Sequence, residues 1–370
     1  MSARAALPRW ADVALLPVVC LAIALLASGG VVALVGQNPT QVLVALIDGA
    51  FGSARGLSYT LYYATSFIFT GLAVAVAFHA GLFNIGGEGQ ATLGGLGAAL
   101  VALWLGPVLP GWAMLPLMLL SGMLFGMVWA AVPGYLQAYR GSHVVITTIM
   151  FNFLASSLLV YLLVNQLRAH GNVAIESAAF TASAHLWSAR EILAFAAVDW
   201  PGSPLNASLL LALACAVAVY FFLWHSLSGY RLRAVGSSPG AAAYAGIDPR
   251  RHVVQAMAIS GALAAMVGMN EVAGVSGKLV LEFVAGAGFT GIAVALMGRN
   301  HPLGIVLASI LFGALFQGGA EVAFEVPGFS RDMVVMLQGF VVLFSGAMSY
   351  VLAAPLARLL RAVVPEAAHG

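Results

Sequence analysis

Charged side chains make up only 8% of the 370 residues, so the groups able to do chemistry can be weighed one at a time. Nucleotide chemistry comes first. Lys278 is the sole lysine, and the phosphate-cradling pattern G-x-x-x-x-G-K-[ST] fails around it. Val272 stands where the first glycine belongs, and Leu279 follows the lysine. Gly286, Gly288 and Gly291 match G-x-G-x-x-G, but in an apolar stretch with no strand before it, which does not make a dinucleotide site. The eight histidines fall without metal-ligand spacing, and no serine, histidine and aspartate share one polar stretch. Cys20 and Cys215 both sit in apolar runs and read as buried small side chains. Catalytic, metal and cofactor residues are therefore none.

Three other polar groupings stand out. The first is His79, Asn84, Glu88 and Gln90, with six glycines between residues 81 and 95. So many glycines and polar groups do not make a regular lipid-facing helix, because glycine lets the backbone leave helical geometry and lets helices approach closely. Two readings stay open: a broken helix beside a solute path, or close packing with a turn at the inner membrane face. The second is Thr147, Thr148, Asn152, Ser156 and Ser157, in which Thr148, Asn152 and Ser156 are spaced to share a helix face. They either bond between helices or line a hydrophilic passage. The third is residues 226–251, where Arg231, Arg233, Arg250 and Arg251 face one acid, Asp248. Pro239-Gly240 opens an alanine-rich piece there that stops at Gly246, so the segment reads as a loop, a helix of one or two turns, and a second loop. Asn270-Glu271 closes an apolar run and reads equally as its cap.

The elements that must position these groups are membrane helices. Hydrophobic residues are 62% of the chain, mean hydropathy is +0.99, and windows of about 20 residues without charge recur. No run alternates like a membrane strand, so helices must satisfy the backbone in lipid. The fold expected is an all-α integral membrane protein, one transmembrane domain over 1–370. Ten spans are countable: 13–35, 59–79, 84–105, 112–139, 144–166, 205–225, 253–273, 283–297, 302–320 and 332–355. Of these, 283–297 is short enough to be a half-helix. The first run is too long for a signal-peptide core and reads as an uncleaved span.

Ten spans put both termini on one side. That side holds Arg4, Arg9, Arg140, Arg231, Arg233, Arg250, Arg251, Arg299, Arg358 and Arg361. The other holds Arg55, Arg168, Arg190, Lys278 and Arg331. The acids Asp12, Glu88, Asp248 and Glu366 are on the first side and the rest of the thirteen on the other. The arginine-rich side is the cytoplasm by the positive-inside bias. Residues 226–251 then face the cytoplasm, where a basic, helix-containing loop can receive work from another protein. The largest outer segment, 167–204, is a plausible docking surface, and its stretch 177–195 is either an amphipathic surface helix or an ordinary connection.

Three stretches together resemble one family. These are residues 83–90 (FNIGGEGQ), 229–246 (GYRLRAVGSSPGAAAYAG) and 291–304 (GIAVALMGRNHPLG). They are similar to the permease subunits of binding-protein-dependent ABC importers, the branched-chain amino acid and simple-sugar permease family, and most to its nucleoside and simple-sugar branch. The likeness runs in order from about residue 59 to 350. One departure is that members often carry an acidic residue and Asn before the proline, where this chain has Ser237-Ser238.

The resemblance implies a polytopic bundle of about ten transmembrane helices with a broken helix and a cytoplasmic coupling helix, in a bacterial inner membrane. It implies a second permease subunit, a cytoplasmic ABC ATPase that carries ATP and Mg, an extracytoplasmic solute-binding lipoprotein or periplasmic protein, contact with membrane lipid, and no nucleic acid. Arg231, Arg233, Ser237, Ser238, Pro239, Gly240, Ala241, Tyr244 and Gly246 become the ATPase-coupling residues, and Asn84, Glu88, Gln90, Thr148 and Asn152 the substrate pathway. The function implied is ATP-driven uptake of a nucleoside or similar small polar solute, with this chain forming half of the path. A stand-alone secondary transporter or channel is the alternative; it needs an ion relay, and acids deep in the spans are scarce. A structural membrane subunit of an enzyme complex is a third class, with no feature in its favour.

Overall fold

In the computed structural model, residues 15–169, 171, 173–326, 333–340, 343 and 355 are described. The regular structure is all-helical among these residues apart from isolated bridges of Arg168 with Ser177, Glu176 with Val280 and Ser188 with Asn206. It forms two compact units, one of residues 1–52 and 315–370, the other of 53–314. In order the helices are α1 (Leu16–Leu34), α2 (Pro39–Phe51), α3 (Ala54–His79), α4 (Gly87–Leu105), α5 (Gly111–Arg140) and α6 (Val144–Leu162). Then come α7 (Ala189–Ala194), α8 (Ser208–His225), α9 (Leu227–Ser237), α10 (Pro239–Tyr244), α11 (Pro249–Ala265), α12 (Ala287–Met297) and α13 (Pro302–Glu325). Wider π turns, Leu163–Leu167 and Met269–Ser276, extend α6 and follow α11.

Where the residues point to ten spans, six helices are long and apolar enough to cross a membrane among those described: α3, α5, α6 with its π turn, α8, α11 with its π turn, and α13. The chain is a multi-pass membrane protein. α12 has 11 residues, about 16 Å of helix, against about 30 Å of hydrocarbon. Expected span 332–355 lies mostly outside the described residues, although 333–340 are helical; the same holds for the start of span 13–35 and for Arg4, Arg9, Asp12, Arg331, Arg358, Arg361 and Glu366.

α2 falls outside the span count. It is too short for a hydropathy window, yet its start is written locally: the Asn38 side chain accepts from the Thr40 amide at 3.0 Å, and Pro39 takes the first helical position. Its Val42 joins Val32, Val322, Val326, Val334 and Leu337 in the core of the first unit.

In the second unit α3 and α11 are central and buried along most of their length, whereas α5 and α6 leave many large apolar side chains exposed. Small residues let these helices touch. A methyl at Gly261 of α11 would overlap the Gly126 carbonyl of α5, and one at Gly94 of α4 would overlap the backbone of Ala265. Such contacts gain dispersion where lipid offers no hydrophobic drive.

Of the two readings of 177–195 the ordinary connection holds, and one expectation about the 226–251 segment is corrected. Residues 177–195 do not form an amphipathic surface helix; they hold a 3-10 turn at Ala182–Ala184 and the six-residue α7. Their backbone instead bonds to residues 277–279: Ser177 N–H to Leu279 O at 3.0 Å and Phe180 N–H to Gly277 O at 2.7 Å. The loop expected before Pro239 is the three-turn helix α9, which buries Gly229, Leu232 and Val235 on one side.

Candidate functional site

The first polar grouping folds into a buried stretch with no helical structure between α3 and α4. Gly81 (φ 74°) makes the turn after α3, beside the backbone of Gly236. Residues 82–85 then carry no regular structure, and Gly86 turns the chain into α4. Without helical bonding the backbone must find other partners, and side chains supply them. Asn84 Oδ1 accepts from the Gly86 N–H at 2.8 Å. Asn152 of α6 accepts from the Gly89 N–H at 2.9 Å and donates to Ile85 O at 2.9 Å. The Asn84 and Gln90 amides bond to each other at 3.0 and 3.1 Å. Asn84 also donates to Ser260 Oγ of α11 at 2.8 Å, which donates to Ala73 O of α3 at 2.6 Å. Asn84, Gln90 and Ser260 are all buried.

Glu88 ties this stretch to α12. Its carboxylate accepts from the Gly286 and Gly288 N–H groups, both at 2.9 Å. First-turn N–H groups have no intrahelical partner and carry partial positive charge, so an anion is stabilised there. The glycines of the G-x-G-x-x-G match thus have packing roles. Gly286 (φ 82°) turns the chain into α12, Gly288 lies against the backbone of Gly87 and Glu88, and Gly291 lies against Thr70 of α3.

The five residues Asn84, Glu88, Gln90, Thr148 and Asn152 are brought together. Their polar atoms bond to one another, to Ser260 and to backbone; the Thr148 hydroxyl donates to Val144 O of its own helix at 2.8 Å. Ser156 does not share their face: Thr148, Asn152, Ala155 and Leu159 are buried while Ser156 is exposed. At about 100° per residue an i+8 position has drifted about 80° and i+7 only about 20°. Sequence reasoning missed Ser260, and it named Gly286 and Gly288 only as a rejected nucleotide pattern without their tie to Glu88; a serine beside Gly261 in an apolar run was the available signal for Ser260.

Residues 226–251 are capped at each joint. Ser226 Oγ accepts from the Gly229 N–H at 3.0 Å, Ser238 Oγ from the Ala241 N–H at 3.3 Å, and Asp248 Oδ1 from the Arg250 N–H at 3.0 Å. Pro239 takes the first position of α10, and Gly246 (φ 77°) ends the turn after it. α10 is therefore a short rigid unit between two sharp corners. Ala242 is its one buried residue, Tyr244 is 98% exposed, and the space around Gly240 is open. Ser237, Ala241 and Arg231 are also exposed. Arg233 is half-buried, its Nε buried without a hydrogen-bond partner among the described residues. Arg250 stacks over the Tyr139 ring at 5.7 Å.

At its far end α12 meets the end of α3, where His79 Nε2 and Asn300 O are 3.1 Å apart. His79 also packs edge-on to Trp224, whose ring is 5.1 Å from that of His301. The start of α12 and its Glu88 tie thus lie about 16 Å from this junction. Ser260, about three turns from the start of α11, lies at a similar distance from α10.

Residues 56–346 match the family described as the permease component of branched-chain amino acid transport systems. The chain is 36% identical to a glucose ABC transporter permease protein, TsgB13, of Haloferax volcanii, over 87% of this chain and 84% of that one. It is 34% identical to the guanosine ABC transporter permease protein NupP of Bacillus subtilis, over 89% and 92%. It is 33% identical to the nucleoside ABC transporter permease protein NupB of Lactococcus lactis, over 86% and 85%. A permease of this kind is not an enzyme; ATP hydrolysis belongs to separate subunits. The match spans the buried 82–90 stretch, the α9–α10 joint and α12, and the chain belongs to the permease-component family of branched-chain amino acid transport systems.

Proposed function

We propose that this chain is half of the translocation path of an ATP-driven importer for a nucleoside or similar small polar solute. The observation that carries the solute class is its kinship, over nearly the whole chain, with permeases named for guanosine and nucleosides; the glucose permease keeps simple sugars as the second choice. The partners are a second permease, a cytoplasmic ATPase and an external solute-binding protein. Both termini face the cytoplasm, and ten passes follow when α1, α4 with its non-helical approach, the short α12 and residues 332–355 are added to the six long helices.

On this reading α10 is the coupling helix. Its exposed Tyr244 and uncrowded Gly240 suit insertion into a groove of the ATPase, with Arg231, Arg233, Ser237, Ser238, Pro239, Ala241 and Gly246 framing the contact. Residues 82–86 are the broken part of a helix, near mid-membrane. Asn84, Glu88, Gln90, Thr148 and Asn152 hold its backbone in shape beside the path. A displacement of α10 reaches them through α11, whose Ser260 bonds Asn84. Transmission needs only that the contact geometry differ between ATP states. The test is uptake of labelled guanosine by cells expressing the complete set of subunits. Competition by other nucleosides is expected; competition by glucose alone would overturn the nucleoside assignment.

A further inference from the structure

A second polar cluster lies at the end of α11 away from α10. Glu271, on the π turn about six helical turns beyond Pro249, has no cationic partner among the described residues. Neutral donors hold its carboxylate. The Tyr62 hydroxyl bonds one oxygen, the Ser66 hydroxyl donates to the other at 2.8 Å, and the Asn270 amide donates at 3.2 Å. Asn270 also donates to Ser66 Oγ at 2.8 Å and accepts from the Asn206 amide at 3.0 Å. Ser66, Asn206 and Asn270 are buried, whereas Tyr62 and Glu271 keep partial exposure. One turn along α3 from Tyr62, Ser58 accepts from the Trp200 indole at 2.7 Å, which ties the 167–206 segment alongside.

An ionisable side chain within a membrane helix is expensive and marks a pathway or a partner. Here the partners are two hydroxyls on one helix, a turn apart. They offer the carboxylate the pair of O–H donors that adjacent hydroxyls of a sugar ring would offer. We infer that Tyr62, Ser66, Asn206, Asn270 and Glu271 form an entry subsite for a solute with a vicinal diol. Glu271 accepts from the two solute hydroxyls, Asn270 orients the carboxylate, and Tyr62 and Ser66 occupy it when no solute is present. This rests on the importer reading above and adds the group recognised and the place of recognition.

The test uses the assembled transporter in vesicles, with uridine and 2′-deoxyuridine as probes and the same binding protein throughout, so that its own preference cancels. Glu271→Gln should raise the apparent KM for uridine about tenfold, the scale of a lost charge-assisted hydrogen bond, and raise that for 2′-deoxyuridine, which keeps one of the two hydroxyls, clearly less, so that the uridine-to-deoxyuridine ratio shifts. Tyr62→Phe removes a competing hydroxyl and should lower the KM for uridine. This opposite shift is one that a merely structural carboxylate does not produce, and it decides the matter if Glu271→Gln fails to assemble. Equal losses for both probes in both variants, or an unchanged uridine-to-deoxyuridine ratio, would overturn the subsite while the importer stands. Wild-type vesicles that take up neither probe with ATP would overturn the nucleoside reading and the subsite with it.

Discussion

Asn152→Ala separates scaffold from solute contact. The Asn152 side chain serves two backbone groups with no helical partner, accepting from the first-turn Gly89 N–H of α4 and donating to Ile85 O of the non-helical stretch, both at 2.9 Å. Alanine leaves a buried donor and a part-buried acceptor unpaired. Each such orphan costs about 1–3 kcal/mol, so the loss is about 2–6 kcal/mol, a large part of a typical stability. Thr148→Val is the control, because that hydroxyl bonds carbonyls of its own helix, at 2.8 Å to Val144 O, and should cost less than about 1 kcal/mol. The assay is thermal melting of the purified complex, together with uptake kinetics. Asn152→Ala should lower the melting temperature and the yield of complex while the surviving fraction keeps its KM. An unchanged melting temperature with a tenfold higher KM would refute the reasoning, since the side chain would then be serving solute rather than backbone.

The remaining expectations concern packing, coupling and pH. Gly261→Ala drives a methyl into the Gly126 carbonyl and should cost about 1–3 kcal/mol, read as a lower melting temperature. Gly240→Trp, placed in open space, should leave membrane insertion intact and abolish transport. Tyr244→Ala, nearly all exposed, should leave this subunit's melting unchanged and weaken ATPase binding about 30-fold by co-purification titration, the scale of an interface hot spot. Bonding to the Ser188 amide and hydroxyl holds the Glu191 carboxyl below its ordinary value. A depressed folded pKa stabilises α7 above the ordinary carboxylate range, and that contribution is lost as pH falls through the lowered value. Glu191→Gln should remove this acid transition from the fluorescence of Trp187, which packs 6.1 Å from Phe195.

Long apolar runs wrote the long helices plainly. Spans expected at 112–139 and 144–166 match α5 and α6 with its π turn to within a residue or two, because composition alone decides them. The corner at Gly246 was equally local, whereas the caps at Ser238 and Asp248 came only with the structure. What could not be read is what depends on distant partners. Asn84 and Glu88 were singled out for being polar and close to glycines, but their bonds run to Ser260, Gly286 and Gly288, and no spacing within 79–95 encodes those elements. Residues 177–195 carry a helical pattern locally, yet bonds to Gly277 and Leu279 prevail. Asn270-Glu271 read as a cap because Tyr62 and Ser66 are some 200 residues away in sequence.

The central claim, a permease driven by a separate ATPase, is tested most directly by uptake into vesicles carrying this chain with and without its partner subunits. Uptake of labelled guanosine should require the second permease, the ATPase and ATP on the cytoplasmic side, should persist with a protonophore present, and should vanish with Gly240→Trp. Guanosine accumulation by this chain alone, without ATP and abolished by the protonophore, would contradict the account and establish a secondary transporter instead.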